Sequence, residues 1–220
     1  MNCFILFLYG SYRRIDIPFY KQLCHSKSTI AIDGGYSFFR KAGFSPDILI
    51  GDFDSLKRFP RDLPKTTTVL NHPPRKDKTD LHLAMDFCFS KKARTIDVVQ
   101  PSVGDIDHFL GNAFLLAHNS FSSGNKRQPR IRIINPKYEI NLVVNTTLTF
   151  RDCVGDTVSV LALSPEIILD ITGTEYKAKS IHLAFGETRG LRNHITSHSA
   201  TCRIGGKALV VRNFEQRYGL

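Results

Sequence analysis

The segment Pro46-Asp47-Ile48-Leu49-Ile50-Gly51-Asp52-Phe53-Asp54-Ser55 decides the architecture of the first half of this chain. A short apolar run that stops at turn residues is the pattern of a strand buried on both faces, and such strands belong to parallel sheets covered by helices. Similar runs occur at Phe4 to Tyr9, Thr29 to Ile32, Thr67 to Leu70 and Thr95 to Val99. With Asp47 to Ile50 they predict an N-terminal α/β domain on an open, Rossmann-like parallel sheet. Two helical stripes stand out between or after the strands. Leu81, Ala84, Met85 and Cys88 recur at i, i+3, i+4 and i+7 with Thr79 as the N-cap, and Leu110, Ala113, Phe114 and Ala117 repeat that spacing after Asp107.

The pattern changes at the polar stretch Ser122-Ser123-Gly124-Asn125-Lys126-Arg127-Gln128-Pro129, which has the composition of a linker. We therefore expect residues 1–128 to form the α/β domain and residues 129–220 a second, all-β domain. Its expected strands are Arg130 to Ile134, Ile140 to Val144, Val158 to Leu163, Ile168 to Ile171, Ile181 to Phe185, Ile195 to Ile204 and Ala208 to Val211. Their spacing suits a β-sandwich or barrel, and Gly205-Gly206 has the residues of the last hairpin turn.

At 220 residues, with 42% hydrophobic and 23% charged residues, the composition is that of a folded globular protein. The formal charge of +10 points to an anionic partner: nucleic acid, an anionic surface or a phosphorylated small molecule. The basic pairs Lys57-Arg58, Arg75-Lys76, Lys91-Lys92 and Lys126-Arg127 are scattered and lack adjacent aromatic platforms, which argues against nucleic acid. The five cysteines form no Cys-x-x-Cys pair, so neither a disulfide framework nor a zinc site is expected. His194 and His198 fall in a strand-like run, so they read as surface residues. No apolar run approaches the roughly 20 residues of a membrane helix, and a cytoplasmic protein without a membrane partner is expected.

Ligands of open parallel sheets bind beyond the carboxyl ends of the strands. Here those positions are acidic. Asp33 follows one strand, Asp52 and Asp54 follow the next, Asp105 and Asp107 follow the strand ending near Val99, and Asp80 starts a helix that approaches the same edge. Converging carboxylates repel one another, and a hard divalent cation relieves the repulsion; magnesium, which shares its oxygen ligands with substrate phosphates, suits this set. Gly34 and Gly35 would let backbone approach a phosphate, and the loop Lys76-Asp77-Lys78-Thr79-Asp80 offers cations and a helix start.

In these motifs the sequence resembles the thiamine pyrophosphokinase family. The shared elements are Asp33-Gly34-Gly35, the block from Pro46-Asp47 to Gly51-Asp52-Phe53-Asp54-Ser55, Asp77-Lys78-Thr79-Asp80, and Asp107-His108 with Asn112. Weaker elements follow at Gly155-Asp156-Thr157-Val158-Ser159 and Gly173-Thr174-Glu175-Tyr176. The resemblance implies a catalytic α/β domain followed by a thiamine-binding β-sandwich, a homodimer with thiamine held between subunits, and transfer of diphosphate from ATP to the thiamine hydroxyl with release of AMP. By the same analogy Asp52, Asp54 and Asp80 bind magnesium, and Asp33 supports the cluster or accepts the hydroxyl proton. Asp107 orients substrate or joins the metal shell, which completes a catalytic set of Asp33, Asp52, Asp54, Asp80 and Asp107. Gly34, Gly35, Ser55, Lys78, Thr79 and His108 contact ATP; Asp107, Arg192 and Asn193 contact the acceptor.

Two positions depart from the family pattern. Asp105 stands where the family usually has Arg, and Arg192 stands where it usually has Ser. Both exchanges alter the charge that faces a substrate. They leave open a pyrophosphokinase of the same scaffold acting on another hydroxymethyl compound, such as a pterin, and a non-catalytic homologue that binds nucleotide.

Overall fold

The computed structural model describes residues 2–54, 56, 59–60, 63–73, 77–118, 121 and 129–215. They fall into two compact units, one drawn from Met1–Leu115 and Asn125–Pro136, the other from Leu116–Gly124 and Lys137–Leu220.

In the first unit six strands, β1 (Cys3–Phe7), β2 (Ser28–Ile32), β3 (Ile48–Gly51), β4 (Thr68–Asn71), β5 (Thr95–Val99) and β6 (Arg130–Ile134), pair in parallel in the order β6-β5-β1-β2-β3-β4. The helices are α1 (Ile17–Cys24), α2 (Tyr36–Ala42), α3 (Asp80–Ser90) and α4 (Ile106–Leu115). β1, β2, β3 and β5 are buried almost throughout, as interior parallel strands must be, whereas the edge strand β4 is mostly exposed. Phe7 at the end of β1 stacks on Phe38 of α2 with ring centroids 4.2 Å apart, and Tyr12 and Tyr20 close the same aromatic cluster. In α3 the expected stripe of Leu81, Ala84, Met85 and Cys88 is buried, and the Thr79 hydroxyl accepts the His82 N–H as N-cap.

Asp47, at the amino end of β3, fixes the register that sets the site edge. Its carboxylate accepts the Thr29 N–H at 2.7 Å and the Thr29 hydroxyl at 2.9 Å, which aligns β3 on β2 so that Ile50 lies beside Ile32. Asp33 and Asp52 therefore leave neighbouring strands at nearly the same height.

Three expectations need correction. Arg130 to Ile134 is a strand, but it belongs to the parallel sheet, so the first unit runs past the expected boundary at residue 128. The physical reason lies in Asp97, in the middle of β5 and fully buried. Arg132, directly opposite on β6, holds it with Nε 2.7 Å from Oδ1, and Lys27 Nζ lies 2.5 Å from Oδ2. Burial alone would raise the Asp97 carboxyl pKa; the hydrogen bond and charge of Arg132, joined by Lys27, outweigh it and hold the group below its ordinary value. The second correction concerns α4, whose expected apolar stripe buries only Ala113; Leu110 is 46% and Phe114 54% exposed.

The third concerns the second unit. Its strands are β7 (Tyr138–Arg151), β8 (Thr157–Ala162), β9 (Glu166–Thr172), β10 (Ala178–Ala184), β11 (Asn193–His194) and β12 (Ser199–Asn213), and they pair antiparallel. The run Ile195 to Ile204 is not one strand, because the chain turns between β11 and β12. Gly205-Gly206 is not a hairpin turn either. β12 runs through it against β7 on both sides, with a one-residue register shift between Ile204 and Lys207. Gly206 has φ +111 and its N–H donates to Asn145 Oδ1 at 2.7 Å, the geometry of a bulge. The bulge lets one long strand pair with β9 by its first half and β8 by its second. Val143, Phe150, Val160, Leu169, Cys202 and Val210 form the centre of this unit's core.

Asp97→Ala would leave the Arg132 and Lys27 cations without their buried partner. It is expected to lower stability by about 3–5 kcal/mol, read as a fall in the urea midpoint at neutral pH.

Candidate active site

The carboxyl edge of β2 and β3 assembles the site. Asp33 opens a single 3-10 turn (Asp33–Gly35) that leads into α2, and its backbone is left-handed at φ +47. Gly51, at φ +153, ends β3; a β-carbon there would lie 2.3 Å from Asp33 Oδ1, so only glycine leaves room for that carboxylate. Phe53 is also left-handed, at φ +66, and its N–H donates to Asp33 Oδ1 at 2.8 Å. Non-glycine residues in this region persist where the surrounding structure over-determines them, and such sites are often functional.

One oxygen each from Asp33, Asp52 and Asp80 lie within 4.8 Å of one another, all three half-buried. Asp80 comes from the start of α3, so residues far apart in sequence converge. Burial, with the charges of Asp80, Asp52 and Asp54 added, overrides the Phe53 hydrogen bond and pushes the Asp33 carboxyl up to about 6. Three oxygen donors in mutual repulsion match the chemistry of a hard divalent cation such as magnesium.

The sequence singled out Asp52, Asp54 and Asp80 for the metal and Asp33 for support. The structure groups Asp33 with Asp52 and Asp80 instead, while Asp54 is exposed beside them and its N–H donates to Asp52 Oδ1 at 3.2 Å. Gly34 and Gly35 are buried: a β-carbon on Gly35 would meet the Phe7 carbonyl oxygen, so this glycine serves the close approach of the turn to β1. Lys78 pairs with Asp86 at 2.6 Å, and Thr79 caps α3. Asp107 and His108 start α4, exposed, with the His108 N–H on Asp107 Oδ1. That helix follows β5, on the opposite side of β1 from β2. Ser55 lies outside the described residues.

In the second unit Asn193 is committed to a turn. Its Oδ1 accepts the Tyr176 N–H at 3.0 Å, and its Nδ2 donates to the Thr174 hydroxyl and the Tyr176 carbonyl. This ties the Gly173-Thr174-Glu175-Tyr176 element to β11. Arg192 is exposed and left-handed at φ +54, with its N–H on Ser159 Oγ. Beside them lies a cavity of about 450 Å³ with apolar walls that include Val160, Leu169 and Ile181, bordered by Tyr176, Lys177 and Arg189. Sequence reading missed this cavity, since its walls are ordinary strand residues that meet only after folding.

The raised Asp33 carboxyl fixes a pH dependence for the metal-free protein. Asp33 binds its proton more tightly when folded, so its contribution favours the folded state at acid pH and is lost as pH rises from about 4 to about 6. Urea melts across that window should show a stability decline attributable to this group, which Asp33→Asn flattens.

Residues 19–127 match the profile of the thiamin pyrophosphokinase catalytic domain. The chain is 30% identical over 186 residues to thiamine pyrophosphokinase of Bacillus subtilis (strain 168), covering 83% of this chain and 85% of that one. A solved structure of the Bacillus subtilis protein superposes with a TM-score of 0.79 at 24% identity, covering 96% of this chain and 99% of that one. Thiamin pyrophosphokinase from Geobacillus thermodenitrificans superposes with a TM-score of 0.77 at 26% identity, covering 99% and 100%. With its acidic site built from the motifs of that group, the chain belongs to the thiamine pyrophosphokinase family.

Proposed function

We infer that this protein is a thiamine pyrophosphokinase, an ATP-dependent diphosphotransferase that converts thiamine to thiamine diphosphate and releases AMP. Membership of the family carries the activity. The observation that carries its location is the convergence of Asp33, Asp52 and Asp80 at the carboxyl edge of a parallel sheet.

In the reaction the thiamine hydroxyl oxygen bonds to the β-phosphorus of ATP. The bond from that phosphorus to the oxygen it shares with the α-phosphorus breaks, AMP leaves with that oxygen, and the hydroxyl proton passes to a carboxylate. Transfers of this kind depend on positioning and on neutralising phosphate charge. We propose that Asp33, Asp52 and Asp80, with Asp54 beside them, would hold magnesium, which when bound offsets the charge of the donor's phosphates. An Asp33 oxygen that the cation leaves free would receive the hydroxyl proton. Lys78, released from Asp86, and Thr79 would face the nucleotide phosphates, and Asp107 and His108 would complete the nucleotide side.

We further propose a Rossmann-like fold for the first unit and a β-sandwich for the second. The second unit's cavity would receive the thiamine rings, with Asn193 on its wall and the exposed Arg192 next to it in the chain. Lys177 and Arg189 are an unusual border for a cationic acceptor, so hydroxymethyl-dihydropterin is the appropriate rival substrate. A cytoplasmic setting is supported by five free thiols. Among the described residues no helix is long and apolar enough to cross a membrane. A homodimer is supported by the exposed stripe Ile106, Leu110 and Phe114 on α4, at 62%, 46% and 54% exposure.

Incubation with ATP, magnesium and thiamine should yield thiamine diphosphate and AMP in equal amounts, with no product from the pterin. Asp52→Asn should lower turnover by about 100-fold or more while its thermal melt in the absence of metal stays near that of the parent. AMP formation without thiamine diphosphate would sink the thiamine assignment. Phe114→Glu should shift the sedimentation coefficient from dimer to monomer; an unchanged value would remove α4 from the interface.

A further inference from the structure

Tyr9 has no place in the reaction as described so far, yet its setting is specific. β1 ends at Phe7, the Leu8 N–H still donates to the Val99 carbonyl at 3.1 Å, and the chain then leaves the carboxyl edge through Tyr9 and Gly10. Gly10 packs against Pro101, just past β5: a β-carbon on it would lie 2.5 Å from Pro101 Cγ. β1 is also the strand at which the winding reverses, with β2, β3 and β4 on one side and β5 and β6 on the other. Parallel sheets of this kind take nucleotides in the crevice at that reversal.

Tyr9 is 71% exposed. It rests on Gly34, where a β-carbon would lie 2.3 Å from Cδ2 and 3.0 Å from Cγ. The absence of a side chain at Gly34 therefore seats the ring, one residue from Asp33 of the acidic triad. An aromatic ring backed by peptide and open to solvent, at the reversal point and beside the carboxylates assigned to magnesium, is the arrangement that receives a planar base. Stacking also needs no cation, which matters at an edge where the nearest charges are carboxylates.

We propose that Tyr9 is the stacking platform for the nucleobase of the donor nucleotide, a proposal that rests on the ATP-dependent activity inferred above. Tyr9 is then a binding residue. It touches the base and not the reacting phosphorus, and any flat aromatic side chain would serve in its place.

The test is calorimetric titration of the full chain with ATP, AMP and inorganic pyrophosphate, each with magnesium, for the parent, Tyr9→Ala and Tyr9→Phe. Loss of one base–aromatic contact should weaken ATP and AMP by between about 5-fold and 100-fold in Tyr9→Ala. Pyrophosphate affinity should stay within about twofold in the same variant, and Tyr9→Phe should bind all three as the parent does. An unchanged ATP affinity in Tyr9→Ala, or an equal loss for ATP and pyrophosphate, overturns the platform and leaves the donor reading standing. A parent protein that binds pyrophosphate but gains nothing from the base in ATP has the same meaning. A parent that binds neither ATP nor pyrophosphate overturns the donor reading, and the platform with it.

Discussion

Like charges held together at one sheet edge are the constraint on which the rest of this structure depends. Asp33, Asp52 and Asp80 would separate if the backbone allowed it, and burial adds to the cost of keeping them ionised. Several features hold them in place. Asp47 locks β3 on β2, Gly51 clears space for the Asp33 carboxylate, and the Phe53 N–H fixes one of its oxygens. Thr79 starts α3 at the point where Asp80 turns toward the group. Much of the Gly-Asp-Phe-Asp block is thus occupied with presenting charge, and the left-handed backbone at Asp33 and Phe53 is part of that work.

The same edge explains why its glycines and aspartates differ in role even though they sit in one motif. Gly35 is an approach of backbone to backbone, Gly34 a seat for an aromatic ring, and Gly51 a clearance for a carboxylate. Each has a different neighbour, and a side chain would meet atoms closer than contact distance at all three. Asp54, two residues after Asp52, remains outside the triad, where it acts on Asp33 through its charge.

The second unit is stabilised by a different device. One long strand, β12, pairs with β7 along its length and divides its other edge between β9 and β8. The bulge at Gly206 makes the division possible, and the apolar cavity lies among the strands so arranged. Arg192 lies in sequence between Leu191 and Asn193 of the cavity wall but does not itself line the cavity; it is exposed and has no salt bridge among the described residues.

From the residues alone it was possible to read the parallel strands after which acidic residues recur, the buried stripe and cap of α3, and an oxygen-donor site for a divalent cation. These are local properties: apolar runs, cap chemistry and strand ends are written within a few neighbouring residues. What only the tertiary structure decided was pairing. Arg130 to Ile134 reads as a strand in either unit until Asp97 is found buried and in need of Arg132. Gly205-Gly206 reads as a turn until both flanks are seen on β7. The stripe of α4 reads as core until its face is found open. Asp33, and not Asp54, joins Asp52 and Asp80 because register and helix placement set distances that no spacing along the chain encodes.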